Sequence, residues 1–265
     1  MPGGGATDTD HGHLGVTSRW VGNEDDSGGA GQLFCFAHAG GGSSFFRPWR
    51  AALAPEAAVR PIMLPGRESR LDEPPYRRLP DLVESLSEAL QPCLDRPYAL
   101  FGHSLGAVIA YEVARRLSAS SGAGPAGLIV SGRRAPGLPC DQRRLSELPD
   151  EEFLAEVARL NGIPREVLSE PGFLSTLLPA LRADYELAEM YQPFQGDRLD
   201  CPVVAYLSTS DPEADYAGML AWREVTTGQF SIRIFRGDHF YLKGGRPDVL
   251  NAVREDLRLA NLNPE

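Results

Sequence analysis

The sequence predicts an α/β domain built on a mostly parallel, doubly wound sheet. Short apolar runs typical of buried strands alternate with segments whose apolar residues recur every three or four positions, as on a helix packed against a sheet. A Gly-x-Ser-x-Gly motif at residues 102–106 joins one such strand pattern to one such helix pattern. Because strands that alternate with helices usually pair in parallel, the order of the elements predicts this sheet.

The strand patterns are short, apolar and bounded by glycine, proline or polar residues. They cover residues 32–37, 59–64, 98–101, 127–132, 202–208 and 230–235. Three prolines in residues 65–75 predict an irregular loop after the second strand.

Each helix pattern carries one apolar face. In residues 80–94 this face consists of Leu82, Val83, Leu86 and Leu90, which lie at helical spacing. The other predicted helices cover residues 44–53, 105–117, 149–160, 174–188 and 247–259.

The alternation stops at residues 133–195, where helix patterns occur without a strand pattern. We interpret this segment as a helical lid inserted between strands, with a hinge at residues 161–164. A helical embellishment without a gating role is the alternative. The chain then divides into a disordered acidic tail, residues 1–31, and one domain, residues 32–265, that carries the insertion. The tail is rich in glycine and aspartate, with Trp20 as its one large apolar anchor.

Composition excludes several classes of function. The net charge of −10 argues against nucleic acid and against an anionic membrane as partners. Neither a secretory signal nor an apolar run of the roughly 18 residues of a membrane span is present, so we expect a cytoplasmic protein, as a monomer. Its four cysteines form no CxxC pair, and no cluster of metal ligands is visible. We expect no cofactor and no metal.

The motif at residues 102–106 is typical of a nucleophile elbow, a sharp turn from strand to helix. In that turn Ser104 projects above the sheet, and a side chain at Gly102 or Gly106 would collide with its neighbours. Leu105 begins the helix, so its backbone N–H can stabilise an oxyanion at the same place. A turn without chemistry is the alternative.

A second oxyanion donor is predicted at the end of the first strand. The strand leads into the sequence HAGGGSS, where the backbone N–H of Ala39 can face Leu105 and residues 40–42 allow a tight turn. The alternative is a flexible glycine-rich loop. Phosphate binding is disfavoured because no Lys-Ser or Lys-Thr pair follows the glycines.

An acid and a histidine follow two later strands, and ligands are met at the carboxyl ends of such strands. His239 is the predicted general base and Asp211 its predicted acid partner. The order of serine, acid and histidine is that of an α/β-hydrolase. Asp238 is the second candidate for the acid, although its side chain should diverge from that of its neighbour in sequence. A structural role for His239 is the alternative to catalysis.

Five motifs together resemble the type II thioesterases of polyketide and non-ribosomal peptide synthases. These are FCFAHAGGG, MLPGRESRLDEPP, FGHSLGA, SDP and GDHFYL, and the resemblance extends over about residues 32–250. It implies an α/β-hydrolase with a helical lid that hydrolyses acyl thioesters on phosphopantetheine arms of carrier proteins and so edits stalled or mis-primed synthases. It also implies a triad of Ser104, Asp211 and His239. Residues 208–210 depart from the family, which more often has a glycine before the acid.

The implied partner, an acyl carrier protein, is typically acidic, and docking on an acidic enzyme would need a basic patch. Two arginine clusters are candidates: Arg67, Arg70, Arg77 and Arg78, and Arg133, Arg134, Arg143 and Arg144 beside the insertion. Solvated surface arginines are the alternative for both. Two other functions stay open, a general carboxylesterase or lipase-like hydrolase with the same triad and a catalytically silent module that docks on a synthase.

Overall fold

A computed structural model describes residues 19–21, 31–54, 56–121, 124–138, 143–159, 171–193 and 196–262. Within these residues six strands form one sheet in the order β2-β1-β3-β4-β5-β6, and every neighbouring pair is parallel. The strands are β1 (Gly31–Phe36), β2 (Ala57–Pro61), β3 (Tyr98–His103), β4 (Gly127–Ser131), β5 (Val203–Ser208) and β6 (Phe230–Phe235).

Helices connect the strands. They are α1 (Arg47–Leu53), α2 (Leu79–Leu90), α3 (Leu105–Ser121), α4 (Asp150–Arg159), α5 (Pro171–Glu189), α6 (Tyr216–Leu220) and α7 (Pro247–Leu259). Short 3-10 turns occur at Ser43–Phe46, Glu68–Arg70, Gln91–Cys93, Leu145–Glu147 and Ala221–Val225.

The sheet has a hydrophobic core on each face, so the fold is doubly wound as predicted. Successive residues of a strand point to opposite faces. In β1, Phe34 packs in the core beneath α2 and α3, whereas Cys35 packs in the core beneath α1 and α7. All six residues of β1 are buried, and residues 33–36 form an apolar run without alternation.

Several elements differ in their bounds from the predictions: β3 and α3 extend further, to His103 and Ser121, and the second strand and two other helices also differ. Strand β2 ends at Pro61 instead of residue 64, because Ile62 and Leu64 leave the sheet and stay buried in the core. The helix predicted over residues 44–53 begins with a 3-10 turn, and Pro48 stands at the start of α1. Helix α2 ends at Leu90, and Pro92 lies in the 3-10 turn that follows it.

The described residues of the segment between β4 and β5 contain the helices α4 and α5 and no strand of the sheet. It has a small core of its own, in which Phe153 and Val157 of α4 meet Leu181 of α5. The whole of the predicted hinge, residues 161–164, lies outside the described residues.

Trp20, which belongs to the predicted tail, is buried against the domain. Its ring lies beneath the guanidinium of Arg70 and beside Tyr76, and its carbonyl oxygen accepts a hydrogen bond from the amide of Met63. Residues 1–18 and 22–30 lie outside the described residues. Among the described helices, none combines the length and apolarity needed to cross a lipid bilayer.

Candidate active site

Ser104 stands on a strained turn between β3 and α3. Its φ of 56° lies in the left-handed region, which a residue with a side chain adopts at an energetic cost. A Cβ atom at Gly102 would collide with the backbone of Gly106, and one at Gly106 would collide with the carbonyl of Phe36. The amide of Ser104 donates a 2.8 Å hydrogen bond to the carbonyl of Ser131 on β4. The turn therefore requires glycine two residues before Ser104 and two residues after it.

His239 is paired with Asp211. Its Nδ1 lies 2.9 Å from each carboxylate oxygen of Asp211, and the two side chains are 5% and 0% exposed. The amide of Glu213 also donates a 2.8 Å hydrogen bond to the Asp211 carboxylate, so this backbone amide and His239 together fix the position of the carboxylate. A carboxylate on Nδ1 stabilises the tautomer whose Nε2 accepts a proton.

Asp238, the second candidate for the acid, has a different contact. Its carboxylate accepts a 2.9 Å hydrogen bond from the amide of Phe240, two residues further on. The side chain is exposed, whereas the Asp211 side chain is buried against the imidazole. The geometry favours Asp211 as the partner of His239.

Ser104 and His239 line one cavity of about 430 Å³ above the carboxyl ends of the strands. Ala39 and Leu105, the predicted oxyanion donors, line it as well. The loops after β1 and β3 enter the cavity where the strand order reverses, which is the place where open parallel sheets bind ligands. The insertion supplies apolar lining through Leu145, Val157, Tyr185 and Ala188.

Two further histidines lie beside His239, and their surroundings hold them neutral. Burial first, then the nearby charge of His239, lowers the pKa of His38 to about 3. The same two causes, in the same order, lower the pKa of His103 well below 6.5. The Nδ1 of His103 lies 2.9 Å from the hydroxyl of Ser131, which in turn lies 2.7 Å from the hydroxyl of Tyr241. His103 thus belongs to a buried network beneath the elbow.

The glycine-rich loop after β1 is held by the loop after β2. The carboxylate of Glu68 accepts hydrogen bonds from the amides of Ser43 and Ser44 at 2.8 and 3.0 Å, and from the Ser43 hydroxyl at 2.6 Å. Burial alone would raise the pKa of Glu68, but these hydrogen bonds outweigh burial and lower it. The loop after β2 therefore fixes the position of the glycine-rich loop through the Glu68 carboxylate.

The first arginine cluster, one of the two candidates for a basic docking patch, is only partly exposed. Arg67 and Arg70 have side chains only 5% and 8% exposed, and they pair with Asp184 and Glu73. Arg77 and Arg78 are exposed and pair with Glu186 and Asp81. Arg67 and Arg70 therefore add nothing to a basic surface, and Arg77 and Arg78 are the exposed members of this cluster.

The second cluster remains at the cavity. Arg133, Arg143 and Arg144 line the cavity, together with Arg159 of α4, which the sequence reasoning did not include. Arg143 and Arg144 are exposed and pair with Glu152 and Glu147. The partners of Arg143 and Arg144 therefore lie on the surface, whereas Arg159 pairs with Glu156, which lines the cavity itself.

Besides Arg159, sequence reasoning missed Asp184 and Glu68, which contact the glycine-rich loop. Asp184 offers a signal in retrospect, since it lies three residues after Leu181 and four before Ala188, on the apolar face of α5. A carboxylate on an apolar face must find a partner when it is buried. Glu68 carries no such signal because it stands in a loop.

Comparison with known proteins places the chain in a family. The thioesterase domain family matches residues 31–257. The gramicidin S biosynthesis protein GrsT of Aneurinibacillus migulanus is 40% identical over 228 residues, which cover 86% of this chain and 89% of the relative.

Two solved structures are similar to the fold described above. RedJ, a thioesterase from the prodiginine biosynthetic pathway in Streptomyces coelicolor, has a TM-score of 0.82 and 37% identity, covering 90% of this chain and 98% of RedJ. The type II thioesterase BorB from the borrelidin biosynthetic cluster has a TM-score of 0.81 and 37% identity, with the same coverage. The predicted α/β-hydrolase fold and the resemblance to type II thioesterases are confirmed, and the chain belongs to the thioesterase domain family.

Proposed function

We propose that this protein is a serine thioesterase that removes acyl groups from the phosphopantetheine arms of carrier proteins and thereby edits a polyketide or non-ribosomal peptide synthase. The observation that carries the proposal is the cavity shared by Ser104, on its strained elbow, and His239, paired with Asp211. Membership of the thioesterase family and similarity to enzymes of such pathways support the choice of substrate.

In the first half of the reaction the acyl group moves to the serine. The Oγ of Ser104 attacks the thioester carbon while its proton passes to Nε2 of His239, and Asp211 stabilises the resulting imidazolium. The backbone N–H groups of Ala39 and Leu105 hold the oxyanion. When the carbonyl re-forms, the carbon–sulfur bond breaks, and the leaving pantetheine thiolate takes the proton from His239.

In the second half water releases the acid. His239 accepts a proton from a water molecule, whose oxygen attacks the acyl carbon and creates a second oxyanion at the same donors. The carbon–oxygen bond to Ser104 then breaks, and His239 returns the proton to the Oγ. The products are a carboxylic acid and the free enzyme.

The cavity suits an acyl chain at one side and a phosphate at its mouth. Its volume of about 430 Å³ lies within the 300–1,000 Å³ typical of small-molecule sites. Apolar lining from Val157 and Tyr185 suits the acyl chain, and Arg143 and Arg144 suit the phosphate of the arm or an acidic carrier surface. Their present pairs with surface carboxylates are of the kind that contributes little and rearranges at little cost.

The test is hydrolysis of short and medium acyl groups loaded on a phosphopantetheinylated carrier protein, followed by mass spectrometry of the carrier. The same acyl groups as oxygen esters and the Ser104→Ala variant are the controls. We expect the wild type to clear the carrier, to disfavour the esters and to be labelled on Ser104 by a fluorophosphonate probe. A preference for the esters would indicate a general esterase instead. Failure of the wild type both to hydrolyse and to be labelled would indicate a silent docking module.

A further inference from the structure

Asp184 connects the helical insertion to the glycine-rich loop. From its position on α5 it accepts a 2.7 Å hydrogen bond from the amide of Gly40, the residue after Ala39. It also accepts two hydrogen bonds from the guanidinium of Arg67, at 2.5 and 2.8 Å. Leu181, one turn earlier on α5, lies so close to Gly40 that an added Cβ would contact its Cδ1 at 2.7 Å. Helix α5 therefore packs directly on this turn.

Arg67 completes the connection from the other side. Its Nη1 also donates to the carbonyl of Gly41 at 3.2 Å, and its Nε donates to the carbonyl of Pro65 at 3.3 Å. The side chains of Arg67 and Asp184 are 5% and 2% exposed. A buried bidentate ion pair between a guanidinium and a carboxylate has one preferred geometry. The Arg67–Asp184 pair therefore holds the glycine-rich loop in a single position.

The contact with Gly40 acts on the conformation of a turn. The amide of Gly41 donates to the carbonyl of His38 at 2.9 Å, and Gly40 has a φ of 75°, which together define a type II turn over residues 38–41. Type I and type II turns differ by rotation of the central peptide, here the peptide between Ala39 and Gly40. Because Asp184 accepts the N–H of this peptide, it stabilises the type II form.

We propose that Asp184, with Arg67 as its counter-ion, is a positioning residue that anchors the turn carrying the Ala39 N–H and so holds this oxyanion donor in place beside Leu105. This inference rests on the proposed function, in which that N–H stabilises the transition state. The hydrogen bond to the His38 carbonyl orients the preceding peptide, and peptide planarity then directs the Ala39 N–H away from the turn. Loss of the Asp184 carboxylate removes the contact that anchors this turn to α5, so the whole turn, with the Ala39 N–H, can move away from Leu105.

The test compares Asp184→Asn with the wild type on a small acyl-N-acetylcysteamine thioester, for which docking of a carrier protein plays no part. Asparagine keeps the size of the side chain but cannot accept hydrogen bonds from Gly40 and from both Arg67 nitrogens. We expect kcat to fall about tenfold to a hundredfold, less than deletion of an oxyanion donor, and KM to change by less than about threefold. The rate of fluorophosphonate labelling of Ser104 should fall by a similar factor, because its phosphoryl oxygen enters the same hole.

Asp256→Asn is a matched control. Asp256 is a buried carboxylate that pairs with Arg233 through two nitrogens, at 2.6 and 2.9 Å, and it lies on α7 outside the cavity. Both variants should lower the midpoint of urea unfolding, but only Asp184→Asn should lower kcat. Equal losses of kcat in the two variants, or an Asp184→Asn enzyme within twofold of the wild type, would overturn the inference.

Two further measurements keep the test decisive. If Asp184→Asn does not fold, the variant Arg67→Lys takes its place. Lysine keeps the positive charge beside Asp184 but cannot donate from two guanidinium nitrogens, so kcat should fall while KM stays nearly unchanged. In the folded wild type, NMR hydrogen exchange should find the Gly40 amide protected; a fast-exchanging Gly40 amide would contradict the contact.

The failure of the inference is distinguishable from the failure of the proposed function. A wild type that neither hydrolyses thioesters nor is labelled on Ser104 would overturn the proposed function itself, and this inference with it. An active wild type with an unimpaired Asp184→Asn variant would overturn the inference alone.

Discussion

The Nδ1 of His239 lies 2.9 Å from both carboxylate oxygens of Asp211, although the two residues are separated by 28 positions in the chain. The loops after β5 and β6 bring them together, because these strands are parallel neighbours and end at the same edge of the sheet. The contact favours Asp211 over Asp238 as the acid partner of His239, and substitution of each aspartate tests this assignment.

Replacement of Asp211 by asparagine should abolish most of the activity. The neutral amide cannot stabilise the imidazolium and favours the wrong tautomer of His239, so kcat should fall by about 10³–10⁴-fold. Asp238→Asn, measured in the same thioesterase assay, should stay within about threefold of the wild type, because the Asp238 side chain bonds the amide of Phe240. A larger loss in the Asp238 variant would reverse the assignment of the acid.

Gly102→Ala should destabilise the elbow. The added methyl group would meet the backbone of Gly106 and Ala107, which cannot move without opening the turn. We expect a loss of about 3 kcal/mol or more in the free energy of unfolding, measured with urea. Gly172→Ala is the control, since a Cβ there meets nothing within 4 Å and alanine favours helix by up to about 1 kcal/mol. Unchanged stability of Gly102→Ala would argue against the elbow.

Stability should depend on pH through His103. Burial, followed by the charges of His239 and His38, lowers the pKa of His103 well below 6.5 in the folded protein. The unfolded chain therefore binds more protons as the pH falls below about 6.5, and the contribution of His103 to stability, complete above that pH, is lost. Between pH 7 and pH 5 this loss amounts to up to about 2 kcal/mol.

The variant His103→Gln removes this titration and keeps a side chain able to bond the Ser131 hydroxyl. Urea unfolding at pH 7 and at pH 5 should show a smaller decrease in the free energy of unfolding for the variant than for the wild type. An equal decrease in both proteins would show that His103 is not held neutral by the fold.

Charge reversal at the cavity mouth should affect carrier-bound substrates selectively. In the double variant Arg143→Glu, Arg144→Glu we expect KM for an acyl carrier protein to rise about tenfold, while kinetics on an acyl-N-acetylcysteamine thioester stay unchanged. Added salt should raise the wild-type KM for the carrier protein, because exposed charges are screened. The double variant Arg77→Glu, Arg78→Glu is the control: its KM for the carrier protein should equal that of the wild type and rise with salt in the same way. Unchanged kinetics of the first variant on the carrier protein would exclude this docking surface.

Local sequence determined most of the framework. The bounds of β6 and α7 agree with the predictions, because both follow from residues that are adjacent in sequence. The elbow is also local, since its two glycines are required by contacts within a few residues and with one neighbouring strand. The order of serine, acid and histidine followed from where the strand patterns end.

Tertiary structure decided which charged side chains belong to the site. Arg67 reads as a surface arginine in sequence, yet it is buried against Asp184, 117 positions away, on a helix of the insertion. Nothing in the local pattern around residue 67 predicts this, because the partner and the burial depend on how α5 packs over the sheet. Trp20 likewise lies in a polar segment and is buried by the loop after β2. Secondary structure follows from short-range periodicity, whereas the pairing of buried charges depends on the packing of segments that are distant in sequence.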